Sequence, residues 1–234
     1  MDRIHLSDKI LSVVDPQVVA IPIQECGETM INLRDQDVLA FGESPEIPDN
    51  PFYTKLRKTV YRKLVAAQRL LPNHLRLCLY EGYRSLELQN LLFCKRYQSL
   101  NRLHPEWDKI RLFHETTKLV CPLINPDGTL NTPPHSTGGA IDVYLIDRRG
   151  NLVDMGIPAA DWMTDLDGSL SRTDSSTISG IAQMHRSMMS RALEKVGFVN
   201  YPAEYWHWSY GDRYWAYLNK KPFALYGPVR IEQG

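Results

Sequence analysis

The chain has 234 residues, 43% of them hydrophobic, and its 27 Lys and Arg balance its 27 Asp and Glu. A chain of this length buries about 70% of its unfolded surface or more, which predicts a single domain over residues 1–234 with an N-terminal arm to about residue 50. Zero net charge without a basic stripe argues against nucleic acid. No apolar run reaches the roughly 20 residues that span a bilayer, and M-D-R-I-H-L-S-D-K-I has no signal core. The expectation is a cytoplasmic protein acting on a small, nearly neutral molecule.

Residues 18–23, V-V-A-I-P-I, read as a short strand or extended arm, with Pro22 against a central position. Residues 30–50 read as loop and run into the turn-rich E-S-P-E-I-P-D-N-P. Leu56, Val60, Leu64 and Ala67 at helical spacing predict a helix from about Tyr53 to Leu71, stopped by Pro72, with Lys55, Lys58, Arg62 and Arg69 on a solvated face. L-R-L-C-L-Y, residues 75–80, alternates as a strand. Ser85 then caps a helix from Leu86 to about Leu100, with Leu88, Leu91, Leu92 and Tyr97 inward.

H-E-T-T-K at 114–118 has Lys118 where a second zinc-binding histidine would stand, so His114 carries no metal role; nor do His5, His74, His104 and His185. Val120–Pro134 is a proline-rich loop with the turn N-P-D-G. D-R-R-G-N centres a hairpin over Ile146–Val153, and Asp165–Ser179 reads as a polar surface loop. A helix over Ile181–Val196 buries Ile181, Met184, Met188, Ala192 and Val196 and ends at Gly197. Phe198–Tyr201 opens the last strand region. Cys26, Cys78, Cys94 and Cys121 form no C-x-x-C, are expected reduced, and Cys78 belongs to the core. Helices alternating with antiparallel-looking strands, without a phosphate loop, give an α+β class.

Chemistry concentrates in P-P-H-S-T-G-G-A-I-D-V-Y-L, residues 133–145. Gly138 and Gly139 predict a bend that returns His135 toward Asp142 on the strand that follows. Imidazole and carboxylate make half a zinc site, and E-Y-W-H-W-S-Y at 204–210 supplies the rest. His207 is the third ligand. Glu204, three residues earlier, stays off the metal as general base, among Tyr205, Trp206, Trp208 and Tyr210. Three protein ligands and an open position predict one catalytic zinc per chain.

H-x-x-G-x-A-x-D followed by E-x-W-H, with E-G-Y-R-S at 81–85, resembles the D-alanyl-D-alanine metallopeptidases, and among them the VanX-type dipeptidases, over about residues 30–215. The resemblance implies a small central antiparallel sheet with packed helices. It gives Arg84 the stabilisation of the transition state, and Asp161, with Asp154 as rival, the binding of substrate. Two positions depart from the pattern. Pro133 stands where a serine is usual, and Asp35 follows Arg34 where a tyrosine is usual, which makes Asp35 itself a candidate contact. The implied activity is zinc-dependent hydrolysis of a free D,D-dipeptide, D-Ala-D-Ala. The alternatives are a D,D-carboxypeptidase or endopeptidase on cell-wall peptides and a non-catalytic zinc-binding module.

Overall fold

The computed structural model of the chain describes residues 10–44, 50–165 and 167–231. Its elements in order are α1 (Pro16–Val19), β1 (Met30–Asn32), β2 (Ala40–Phe41), β3 (Lys55–Arg57), α2 (Lys58–Gln68), β4 (Leu75–Glu81), α3 (Leu86–Leu103), α4 (Lys109–Thr117), β5 (Ala140–Asp147), α5 (Gly180–Lys195), β6 (Val199–Tyr201), β7 (Glu204–Ser209) and α6 (Arg213–Leu218). Five strands form one sheet in the order β2-β4-β5-β7-β6, and β1 pairs with β3 separately. Every neighbouring pair in the larger sheet is antiparallel except β2 with β4. The class is α+β.

Strand alternation divides the sheet into a core face and a site face. Leu75, Leu77 and Leu79 of β4 and Ile141, Val143 and Leu145 of β5 join Val60, Leu64 and Ala67 of α2 and Met189, Ala192 and Leu193 of α5 in one buried cluster. Asp142, between Ile141 and Val143, therefore points to the opposite face. There Leu88 and Leu92 of α3 pack with Val120 beside it.

Several expectations change. The helix foreseen from Tyr53 begins at Lys58, because Lys55–Arg57 pairs with Met30–Asn32, and that pairing also gives strand structure to part of the expected 30–50 loop. Of the strand or extended arm expected over 18–23, Val18 and Val19 belong to a helical turn, Pro16–Val19, with the Asp15 side chain accepting from Gln17 N and Pro16 leading the turn, while Ile23 makes an isolated parallel bridge to Ala224. The α3 helix runs to Leu103, and Leu91 is 56% exposed rather than inward. Two helices unforeseen in the sequence, α4 and α6, are capped by the Asp108 and Asp212 side chains. The D-R-R-G-N hairpin closes with a bridge between Ile146 and Leu152. All four cysteines are free, with Cys78 and Cys121 buried and Cys26 and Cys94 exposed. His5 and positions 45–49 of the turn-rich run lie outside the described residues.

Candidate active site

Register brings the first two site residues together: Asp142 on β5 is the direct partner of His207 on β7. His135 comes from the 3-10 turn Pro134–Thr137, which ends at Gly138 with φ 70°. A side chain at Gly139 would put its Cβ 2.5 Å from Tyr210 O, so the chain can pass there only without one. The turn folds His135 back over the strand, and its Nδ1–H donates to Gly82 O at 2.8 Å. Gly82 is equally forced, since a Cβ would stand 2.8 Å from both Tyr53 O and Lys55 O. With the proton on Nδ1, the lone pair of His135 sits on Nε2.

That Nε2 lies 3.1 Å from His207 Nδ1 and 3.4 Å from Asp142 Oδ2, and His207 Nδ1 lies 3.0 Å from Asp142 Oδ1. Ligands at about 2.0–2.1 Å from a tetrahedral zinc are separated by about 3.3 Å, so the two ring nitrogens and the Asp142 carboxylate, whose ligand atoms all lie within 4.8 Å of one another, have a donor set and spacing that suit such an ion. All three residues are buried. Burial pushes the Asp142 carboxyl up and the His135 imidazole down. Their mutual attraction outweighs both effects, holding Asp142 well below the usual carboxylate range and His135 above its ordinary value.

Glu204 and His207, three apart, would face opposite sides of a regular strand. The β6–β7 register slips between Asn200, which faces Trp208, and Tyr201, which faces Glu204. The Asn200 amide spans the irregularity, donating to Glu204 O at 3.1 Å and His207 O at 3.0 Å. Both side chains thereby line one pocket, with Glu204 Oε2 3.9 Å from His207 Nδ1. Burial first, and the Asp142 charge second, raise the Glu204 pKa well above its ordinary value, against the opposing pull of Arg84.

Arg84 follows β4 and enters the same pocket. Its Nε donates to Glu81 Oε1 at 3.0 Å, its Nη2 to Glu81 Oε2, and its Nη1 to Gln89 Oε1 at 3.0 Å. Its backbone N–H donates to His135 O at 3.3 Å, tying this loop to the turn that carries His135. Val13, Trp162, Tyr201 and Trp206 wall the pocket.

The three aspartates expected to bind substrate are exposed, and none lines the pocket. Asp154 instead accepts from the Ser179 hydroxyl at 2.6 Å and from Gly156 N at 2.9 Å, fastening the entrance of α5. Asp35 ends the 3-10 turn Leu33–Asp35. Asp161 lies beside Trp162, a wall of the pocket. The Pro133 carbonyl accepts from Ser136 N at 3.0 Å within the His135 turn. Sequence reasoning missed Gln89, Asn200 and Tyr201. Gln89 joins Arg84 to the distant Cys121, Asn200 acts across the register slip, and Tyr201 faces the site through the same slip.

The M15 peptidase family, described as D-ala-D-ala dipeptidase, matches residues 54–224. A D-alanyl-D-alanine dipeptidase of Synechocystis sp. is 27% identical over an alignment that covers 90% of this chain and 96% of that protein. Among solved structures, VanYB in complex with D-alanine-D-alanine is 13% identical with a TM-score of 0.46 over 88% of this chain and 94% of that one. The LdcB LD-carboxypeptidase is 16% identical with a TM-score of 0.39 over 85% of this chain and 76% of that one. A family match over most of the chain, on a sheet that gathers His135, Asp142 and His207 beside Glu204 and Arg84, shows that the chain belongs to the M15 peptidases and is a metallopeptidase.

Proposed function

We propose that the protein hydrolyses a free D,D-dipeptide, D-Ala-D-Ala, with one zinc held by His135, Asp142 and His207, Glu204 as general base and Arg84 as oxyanion stabiliser. The observation that carries this reading is the convergence of a two-histidine, one-aspartate donor set with a buried carboxylate and a partly exposed guanidinium in one pocket. Zinc, when bound, supplies Lewis-acid chemistry, acidifying water and polarising a carbonyl. Glu204 takes the proton of the attacking water and returns it to the leaving amine, a role favoured by a raised proton affinity. Arg84 meets the charge that grows on the carbonyl oxygen with a guanidinium already oriented by Glu81 and Gln89. The apolar walls Val13, Trp162 and Trp206 keep the reacting groups from bulk water.

The substrate rests on the description of the family and the name of the Synechocystis relative. A dipeptidase must also recognise a charged ammonium, for which a carboxylate is the natural partner. Of the three aspartates outside the pocket, Asp161 adjoins a residue that walls it, and we assign the ammonium to Asp161. The test compares zinc content and D-Ala-D-Ala turnover of the wild type and Glu204→Ala. Glu204→Ala should keep its zinc and lose at least about 10²-fold in kcat. Near-normal kcat would falsify the mechanism, and loss of zinc would make Glu204 a ligand.

A further inference from the structure

We infer that Gln89 is a positioning residue of this reaction, acting through Arg84 and resting on the stabilising role proposed for that arginine. Gln89 is 1% exposed and sits in the first turns of α3, and its side chain lines the pocket. Both ends of its amide are engaged. Oε1 accepts from Arg84 Nη1 at 3.0 Å, and Nε2 donates to Cys121 O at 2.7 Å. A guanidinium only donates and a carbonyl only accepts, so the amide has one orientation here and cannot flip without breaking both bonds.

Glu81 alone would fix the plane of the Arg84 fork but leave it to pivot with the carboxylate. Gln89 adds an attachment at the remaining nitrogen, Nη1, from a different element of the fold. The attachment is itself anchored. Cys121 is buried, and its Sγ accepts from Asn131 Nδ2 at 3.1 Å. The choice of an amide also has an electrostatic consequence. Glu81 already sets one negative charge against Arg84. A second carboxylate would weaken the cation that must meet an oxyanion, whereas a neutral amide holds the geometry without drawing on the charge.

A purely structural role would be to tie α3 to the loop at Cys121, and a double-mutant cycle separates the two. The measurement is kcat and KM for D-Ala-D-Ala, with zinc content and melting temperature, for Gln89→Met, Arg84→Ala and the double variant. Arg84→Ala should lower kcat by about 10²-fold or more. Gln89→Met should keep its zinc and lower kcat about 10-fold, with KM within about 2-fold. Added to Arg84→Ala, it should change kcat by less than about 2-fold, because nothing remains to be positioned. Gln89→Glu keeps the shape and the acceptor but loses the donor to Cys121. It should also lower kcat, with the loss again absent beside Arg84→Ala, and it serves if the methionine variant does not fold. Losses that multiply independently in the double variant, a raised KM at unchanged kcat, or an unaffected kcat each overturn the inference. If Arg84→Ala itself has normal kcat, the arginine's proposed role fails first, and that of Gln89 with it.

Discussion

In the proposed site His135 would meet three demands at once: one nitrogen for the metal, beside the proton its Nδ1 gives Gly82 O and the backbone carbonyl it offers Arg84 N. His135→Ala should therefore lose zinc by at least about 10-fold in affinity, read by chelator competition on purified protein; unchanged affinity and stoichiometry would remove it from the donor set. The aspartates give a contrast. Asp161→Asn should raise KM for the free dipeptide and leave zinc in place, if the lost partner is the one proposed for the ammonium. Asp154→Asn should leave KM unchanged and instead lower the melting temperature slightly, since its carboxylate serves Ser179 and Gly156. If Asp154→Asn moves KM and Asp161→Asn does not, the assignment is reversed. At this scale the donor set was legible because short spacings, H-x-x-G-x-A-x-D and E-x-W-H, encode it. The surroundings of Asp161, Asp154 and Gln89 were not, because loops far apart in sequence decide what an aspartate or an amide meets.

Helix α5 shows where periodicity misleads. Counting apolar side chains picks Ile181, Met184, Met188, Ala192 and Val196; Ala192 is buried and Met188 and Val196 pack against the core, yet Ile181 is 59% and Met184 47% exposed. The buried face runs through Ala182, Arg186, Met189 and Leu193. Arg186 is 1% exposed and satisfied by backbone, donating to Met155 O, Leu170 O and Arg172 O while its guanidinium lies 3.9 Å over the Tyr205 ring. An apolar pattern cannot place a charged residue inward, so the stripe is misplaced at its first two members, Ile181 and Met184. The fold makes two stability predictions. Met189→Ala, at a fully buried site, should cost about 2–5 kcal/mol in denaturant unfolding, and Met184→Ala should stay within about 0.5 kcal/mol. Equal effects would contradict the burial described. Strand β4 was plain from alternation and β5 from its β-type run Val143–Ile146 after the glycine bend, whereas β1, β2 and β3, at two or three residues each, carry too few positions to show a period.

For the molecule as a whole, the sheet sets the chemistry by separating a core face from a site face, and the arm and the 155–165 segment close the site face with Val13 and Trp162. No helix among the described residues is long and apolar enough to cross a membrane. The α+β class follows from the mix of helices and strands in the sequence, and the antiparallel centre of the sheet is what the family resemblance implies. The parallel edge pair β2–β4 follows from neither, since it joins a two-residue strand across a helix. A walled pocket with a carboxylate nearby favours a small unblocked substrate over the end of a long peptide. The decisive comparison is kcat/KM of the zinc-loaded protein for D-Ala-D-Ala against N-acetyl-D-Ala-D-Ala. A dipeptidase that binds the ammonium should prefer the free dipeptide by at least about 10²-fold, the scale set by leaving a charged partner unpaired. Equal cleavage of both would contradict the account and make the protein a D,D-carboxypeptidase.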